Sequence, residues 1–255
     1  MNEIIQRLNQ LKLSGIKKTL ESRNEYALKN RISYIEFLEL LIEDEVNNRL
    51  SNSYRKKYQQ SKLERTKELS NFDFSYQQEL DSKMINELAS CRFIKEKKNI
   101  VFMGKPGVGK THLANALGLE ALKLGHTVLF VHANALMERL LSARADGTYP
   151  QLMNQYINTE LLILDEIGFQ RIDTENVNDF FEIVRRRYEH SSMILTTNRN
   201  FEDWGEVFGD AVLASAIIDR ILHHAVVIRI TGDSYRMKDY IKKGSNSTNL
   251  TKKGG

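Results

Sequence analysis

Apolar positions recur at helical spacing early in the chain: Ile4, Leu8 and Leu11 form one set, and Ile35, Leu38, Leu41 and Ile42 form a second. A three-to-four-residue period puts such side chains on one helix face. Ser33 followed by Glu36 has the form of a capping box and starts the second helix at about Tyr34. A third helix is predicted through the basic stretch from Arg49 to Lys67. No glycine lies between Gly15 and Gly104, and no proline precedes Pro106. This region therefore lacks the usual helix breakers and reads as all-helical. From Asn99 the texture changes. Ile100-Val101-Phe102-Met103 is a short apolar run ending at Gly104, and a helical pattern follows from Thr111. Further apolar runs fall at 127–132, 161–164, 193–196 and 225–230. Strands alternating with helices predict an α/β fold with a parallel sheet flanked by helices. The expected division is a helical N-terminal domain over 1–70, an α/β core over 71–243 and a tail over 244–255. That tail is rich in Gly, Ser, Asn, Thr and Lys, and is expected to be disordered.

The composition is that of an ordinary globular protein, 41% hydrophobic and 27% charged. No stretch approaches the ~20 apolar residues of a membrane-spanning helix. The first residues include Glu3 and no uninterrupted apolar run, which does not read as a secretory signal. The lone cysteine, Cys91, can form neither an internal disulfide nor a cysteine metal site, which suits a reducing compartment. The expected location is the cytoplasm, with no membrane partner. A net charge of +4 leans mildly towards an anionic partner.

The strongest chemical signal is Gly104-Lys105-Pro106-Gly107-Val108-Gly109-Lys110-Thr111. It fits the Walker A pattern and lies between a predicted strand and a predicted helix, as a phosphate-binding loop requires. Glycines let backbone N–H groups converge on phosphate oxygens, and the helix adds its positive N-terminal end. Lys110 is expected to reach the β- and γ-phosphates of ATP, and the Thr111 hydroxyl to ligate Mg²⁺. His112 follows directly and is counted with the nucleotide-binding residues. Leu161-Leu162-Ile163-Leu164-Asp165-Glu166 reads as a Walker B strand. Asp165 is expected to hold Mg²⁺, which prefers few direct protein ligands. Glu166 stands where a water attacking the γ-phosphate is polarised. Alone, an apolar run ending in Asp-Glu is more often a strand meeting a solvated turn; paired with Walker A it becomes specific.

Three residues further on are candidates, and the first two have two readings each. Asn198, ending the strand Ile194-Leu195-Thr196-Thr197, either contacts the γ-phosphate or caps a turn. Arg220 closes a predicted helix and is either a surface ion-pair partner or a finger projecting into another subunit's site. Arg236 follows the last strand in Gly232-Asp233-Ser234-Tyr235-Arg236 and offers another cation near the nucleotide.

With these pieces in order, the chain resembles the AAA+ ATPases of the IstB and DnaC branch, and IstB proteins more closely. The resemblance spans nearly the whole chain. It rests on Gly-Val-Gly-Lys-Thr-His-Leu-Ala at 107–114, Leu-Leu-Ile-Leu-Asp-Glu at 161–166, Thr-Thr-Asn at 196–198 and Gly-Asp-Ser-Tyr-Arg at 232–236. The helical segment at 33–49 is similar to the IstB amino-terminal region. The resemblance implies Asn198 as sensor 1, Arg220 as a finger supplied in trans and Arg236 as a sensor 2-like arginine. It also implies a homo-oligomer with ATP sites at subunit interfaces, assembled on double-stranded DNA and recruiting a transposase. Only 57 residues follow Asn198, which departs from the wider AAA+ pattern and leaves room for a reduced lid, as in this branch.

Between Arg49 and Glu68, seven cations face only two acids, Glu64 and Glu68, and Arg55, Lys56 and Lys57 stand in a row. They form either a phosphate-tracking surface or a solvated helix face. Arg139 and Arg144 follow the strand at 127–132, where initiator-type relatives line a nucleic-acid channel. Arg185, Arg186 and Arg187 make a third cluster, on a helix beside the sheet, where they are expected to pair with acids. No base-reading motif of the helix-turn-helix or zinc type is present, which favours backbone recognition. The resemblance thus implies a DNA-remodelling ATPase that assists transposition. A helicase loader of the DnaC kind, a small-molecule kinase and a non-hydrolysing scaffold are the competing readings.

Overall fold

The computed structural model describes residues 2–169, 172 and 174–238. The expected tail at 244–255 lies outside them. The described chain divides into two compact units, one ending at Gln59 and the other starting at Gln60.

The first unit is built from α1 (Asn2–Gln10), α2 (Ser14–Asn30) and α3 (Tyr34–Ser61). The capping box forms as the sequence predicts: the Ser33 N–H donates to Glu36 Oε2 at 2.7 Å, and the Glu36 N–H to Ser33 Oγ at 3.2 Å. The predicted second and third helices are one continuous helix, because nothing between Asn47 and Ser61 interrupts helical hydrogen bonding. Buried Glu45 on α3 accepts from the N–H groups of Gly15 and Ile16 at 2.6 and 3.3 Å. A carboxylate at a helix N-terminus satisfies otherwise unpaired donors and the helix dipole together. The two helices touch there. A Cβ on Gly15 would fall 2.6 Å from Glu45 Cα, so the crossing requires glycine. Arg23 grips Asp44 with two parallel bonds of 2.7 and 2.8 Å, and that guanidinium holds the Asp44 carboxyl at about 2.

The helical expectation for the first hundred residues fails beyond Ser61. Lys62 turns out of the helix with φ 63°, and residues 62–81 form a strap of turns with one 3-10 turn at Leu69–Asn71. Helix propensity loses here because the strap's backbone finds other partners. The Asn115 side chain accepts from Glu64 N–H and donates to the carbonyls of Glu64 and Lys67, all within 3.1 Å. Asp73 and Asp81 side chains accept local N–H bonds in turn geometry. Two short helices, α4 (Ser82–Leu88) and α5 (Arg92–Lys95), complete the approach to the sheet.

The sheet comprises β1 (Asn99–Gly104), β2 (Val128–His132), β3 (Leu161–Ile167), β4 (Ser192–Thr197) and β5 (Ala225–Ile230), all at the predicted positions. Every pairing is parallel, in the order β2-β3-β4-β1-β5. Between the strands run α6 (Lys110–Lys123), α7 (Ala133–Ala145), α8 (Tyr149–Asn158), α9 (Thr174–Arg187), α10 (Trp204–Phe208) and α11 (Ala211–Leu222). Ile100 through Met103 and Leu161 through Leu164 are buried without alternation. That is the signature of a parallel sheet covered on both faces. No described helix is long and apolar enough to cross a membrane.

Arg187, the last residue of α9, is wholly buried. Its two terminal nitrogens donate to the carbonyls of Tyr156, Ile157, Thr159, Glu160 and Ser192 at 2.6 to 3.4 Å. One side chain thereby satisfies the end of α8 and the entrances of β3 and β4. Burial pushes its guanidinium down to about 9, which leaves it charged at neutral pH.

Candidate functional site

The turn from β1 into α6 is held in a shape that only glycines permit at two points. Gly107 and Gly109 have φ of 82° and 101°, and a Cβ on Gly109 would collide with the Phe72 ring at 2.6 Å. Gly109 is also the N-cap of α6, so Lys110 and Thr111 start a helix whose free N–H groups face the turn. Buried Lys110 donates through Nζ to the carbonyls of Gly104 and Lys105 at 2.7 and 2.9 Å. Burial lowers its pKa, while the Asp165 and Glu166 charges partly oppose that shift.

Asp165 sits at the C-terminal end of β3, 1% exposed. Its carboxylate accepts from Thr111 Oγ1 at 2.9 Å and from Thr196 Oγ1 at 2.6 Å. Thr196 Oγ1 accepts in turn from the Glu166 N–H at 2.9 Å. The ladder between β3 and β4 then slips between Leu164 and Ile167, with Glu166 at φ 61°. A bulge of this kind re-aims a side chain. Here Asp165 stays inside and Glu166, 56% exposed, turns out to the cleft. His132, at the end of β2, places Nδ1 3.3 Å from Asp165 Oδ2 and 4.0 Å from Glu166 Oε2. A hydroxyl and a carboxylate within hydrogen-bond distance are the hard oxygen donors that suit Mg²⁺, which keeps most of its water. Thr111 and Asp165 would hold it, and the nest of N–H groups fits a polyphosphate.

The cleft measures about 910 Å³ counted out to its open mouth. One wall is the Walker A turn with His112; Tyr235 and Arg236 stand in another. The third wall is the strap, through Lys67, Phe72, Asp73 and Gln77, none of which carries a motif. Phe72 packs edge-on against His112 and Phe74, with ring centroids 5.4 and 4.9 Å apart. His112 Nε2 bonds the Glu68 carbonyl at 2.8 Å. The strap is clasped to the segment after β5: the Gln77 amide donates to the Asp233 carbonyl at 3.0 Å, the Tyr76 hydroxyl to the Ser234 carbonyl at 3.2 Å, and Thr231 bonds Glu79. Lys238 pairs with Asp73 at 2.6 Å and, with Ser75, holds that carboxyl at about 2. Tyr235 N–H donates to the Gly107 carbonyl at 2.9 Å, joining that segment to the phosphate turn.

The other candidates fall elsewhere. Asn198 is exposed just past β4, and Arg220 lies in the last turn of α11. The Arg220 guanidinium donates to the Ala216 carbonyl at 2.8 Å and lies 5.1 Å from the Phe181 ring. Neither lines the cleft of its own chain among the described residues. Arg144 is tied to buried Asp179 at 2.6 Å, shared with the Tyr149 hydroxyl, whereas Arg139 is exposed on a groove between α7 and α8. Arg185 and Arg186 both bond Glu182. Arg55 and Lys56 are exposed on α3, Lys57 is half-buried, and Tyr54 stacks on Tyr58 at 6.4 Å. Besides the strap residues, two contributors beside Asp165 escaped the sequence reading. Thr196 was legible only as part of Thr-Thr-Asn, and His132 carried no signal beyond ending a strand.

A family model for IstB-like ATP binding proteins matches residues 6–243. An insertion sequence IS21 putative ATP-binding protein of Pseudomonas aeruginosa is 41% identical over 251 residues, covering 98% of this chain and 95% of that one. AMPPCP-bound DnaA from Aquifex aeolicus superposes with a TM-score of 0.57 at 24% identity, over 73% of this chain and 57% of that chain. The DnaC helicase loader gives 0.51 at 24% identity, over 58% of this chain and 86% of that chain. At that identity the likeness establishes the fold alone, a parallel sheet flanked by helices with the phosphate turn after its first strand.

Proposed function

We propose, from the premise that this chain belongs to the family of IstB-like ATP-binding proteins, that it is a Mg²⁺-dependent ATPase that assembles on double-stranded DNA and assists transposition by recruiting a transposase. The observation that carries the catalytic part is the pairing of buried Asp165 on Thr111 with a bulge that turns Glu166 out to the cleft. Lys110 and the Walker A N–H groups bind the β- and γ-phosphates. Bound Mg²⁺ would neutralise phosphate charge. Glu166 takes the proton of the attacking water, and Arg236 adds positive charge from the far wall. Phe72 and its neighbours cover the nucleoside. A kinase acting on a small molecule has no use for a water-activating acid at Glu166, which favours hydrolysis.

Asn198 is assigned to the γ-phosphate or its water, and Arg220 to the site of an adjoining protomer. Arg220 lies outside the cleft of its own chain, as a residue acting in trans would. Mixing tests this. Arg220→Ala protomers, with an intact phosphate turn, should regain hydrolysis when combined with inactive Lys110→Ala protomers that still carry Arg220. Co-assembly with no recovery at any ratio would remove the trans assignment.

DNA engagement is assigned to phosphate contacts multiplied by assembly, with Arg55, Lys56 and Lys57 first and Arg139 next. Arg144 ranks below them because it is already held by Asp179 and Tyr149. Each phosphate neutralised releases counterions, so log affinity should fall with log salt by about 0.9 per contact on duplex DNA. Alanine at Arg55, Lys56 and Lys57 should flatten that slope and weaken binding equally on unrelated duplexes in the presence of ATP. An unchanged slope would return the three to a solvated helix face. The partner surface is assigned to the first unit, where Ile35, Leu38, Ile42, Val46 and Leu50 are about half exposed or more along one face of α3.

A further inference from the structure

The nucleotide cleft lies at the C-terminal ends of the strands. At the opposite end, the turn between α9 and β4 meets the turn between α11 and β5. The first turn brings Glu189 and the second brings His223 and His224. Glu189 Oε1 lies 3.7 Å from His224 Nε2. The two imidazole rings are 4.0 Å apart between centroids. One ligand atom from each of the three residues falls within 4.8 Å of the others, and all three side chains are exposed.

We propose that Glu189, His223 and His224 form a surface binding site for a transition-metal dication, Zn²⁺ above all. Two imidazoles and one carboxylate are three protein ligands of the kind zinc takes when a fourth position is left to water or to an outside group. With bonds of about 2.0–2.2 Å, tetrahedral ligand atoms stand about 3.3 Å apart. The 3.7 Å separation of Glu189 and His224 therefore needs only small side-chain rotations to close. Two nitrogen donors of three disfavour Mg²⁺ and Ca²⁺, which seek oxygen cages. The site is thereby chemically separate from the one built on Thr111 and Asp165.

Neighbouring contacts prepare the donors. The Tyr188 hydroxyl is 2.7 Å from His223 Nδ1, fixing that ring. Orienting bonds of this kind commonly support metal ligands. The His224 carbonyl accepts from Asn99 N–H at 2.7 Å, tying its backbone to the start of β1. The metal would link the entrances of β4 and β5, two strands separated by β1. Because Glu189 is brought to His223 and His224 only by folding, binding should raise the melting temperature in proportion to the logarithm of free metal.

The test uses the full chain, without an affinity tag and freed of metal by a chelator, titrated with Zn²⁺ in a calorimeter. His132 with Asp165 and Glu166 is a second cluster able to take metal, so a His132→Ala chain is titrated alongside. One equivalent of Zn²⁺ should bind both chains and be lost from His223→Ala/His224→Ala. Glu189→Gln should weaken it at least about tenfold. In the unmutated chain, the ring-proton NMR signals of His223 and His224 should shift on binding, a readout that needs no variant to fold. Unmoved His223 and His224 signals at saturating Zn²⁺, or equal binding by the double variant, would overturn the site.

Discussion

Glu166→Gln should hold ATP and turn it over at least about a hundredfold more slowly than the parent chain, the usual loss when a general base is removed. The amide keeps the size and the hydrogen-bonding reach of the side chain but cannot take a proton. The Glu166 N–H bond to Thr196 is a backbone contact and survives the change, so Asp165 and Thr111 keep their places. Lys110→Ala should fail at an earlier step. Its ammonium is buried inside the phosphate turn and bonded to two carbonyls of that turn. Without it, ATP loses its main countercharge and the carbonyls of Gly104 and Lys105 lose their donor. Phe72→Ala should lie between the two variants, weakening ATP binding roughly tenfold, because it removes an aromatic wall while leaving the phosphate contacts intact. Fluorescent-nucleotide binding measured beside phosphate release separates the three. Unchanged hydrolysis in Glu166→Gln would end its assignment as base, and tight ATP binding by Lys110→Ala would end that of the phosphate turn.

Arg187→Met should cost at least about 4 kcal/mol of folding stability, a loss of the size that breaking a buried hydrogen-bond network can produce. Methionine nearly matches the apolar stem but donates nothing, so five carbonyls lose their shared partner, those of Tyr156 and Ser192 in buried surroundings. An unsatisfied buried polar group costs about 1–3 kcal/mol, and relaxation of the α8 end recovers only part of the sum. Arg187→Lys should be nearly as damaging, since one ammonium cannot span the carbonyls that two guanidinium nitrogens reach. Urea unfolding of the three chains provides the measurement. A loss below about 1 kcal/mol in Arg187→Met would mean that the carbonyls find other donors.

The sheet was legible in the sequence because each strand is a short apolar run bounded by polar or glycine residues, and parallel strands buried on both faces have no alternation to obscure them. The phosphate turn was legible because its chemistry is local: eight consecutive residues set the backbone, the ammonium and the hydroxyl. The capping box at Ser33 and Glu36 was legible for the same reason. The helical content of the first hundred residues was overread past Ser61. Absence of glycine and proline permits a helix but does not require one, and the strap instead spends its hydrogen bonds on Asn115, a residue about fifty positions away.

Tertiary structure alone decided the rest. The run Arg185-Arg186-Arg187 was read as one basic cluster paired with acids; two of its members do pair with Glu182 on the helix surface, but the third is sealed among carbonyls from α8, β3 and β4. Nothing in three identical letters distinguishes those fates. They follow from the helical turn that each residue occupies and from what packs against it. Phe72, Asp73 and Gln77 reach the cleft only because the strap folds back over α6, and Glu166 faces outward only because the ladder between β3 and β4 slips by one place. Local patterns specify the elements and the chemistry that neighbours in sequence share; contacts between distant segments depend on the assembled core, which no window of the sequence contains.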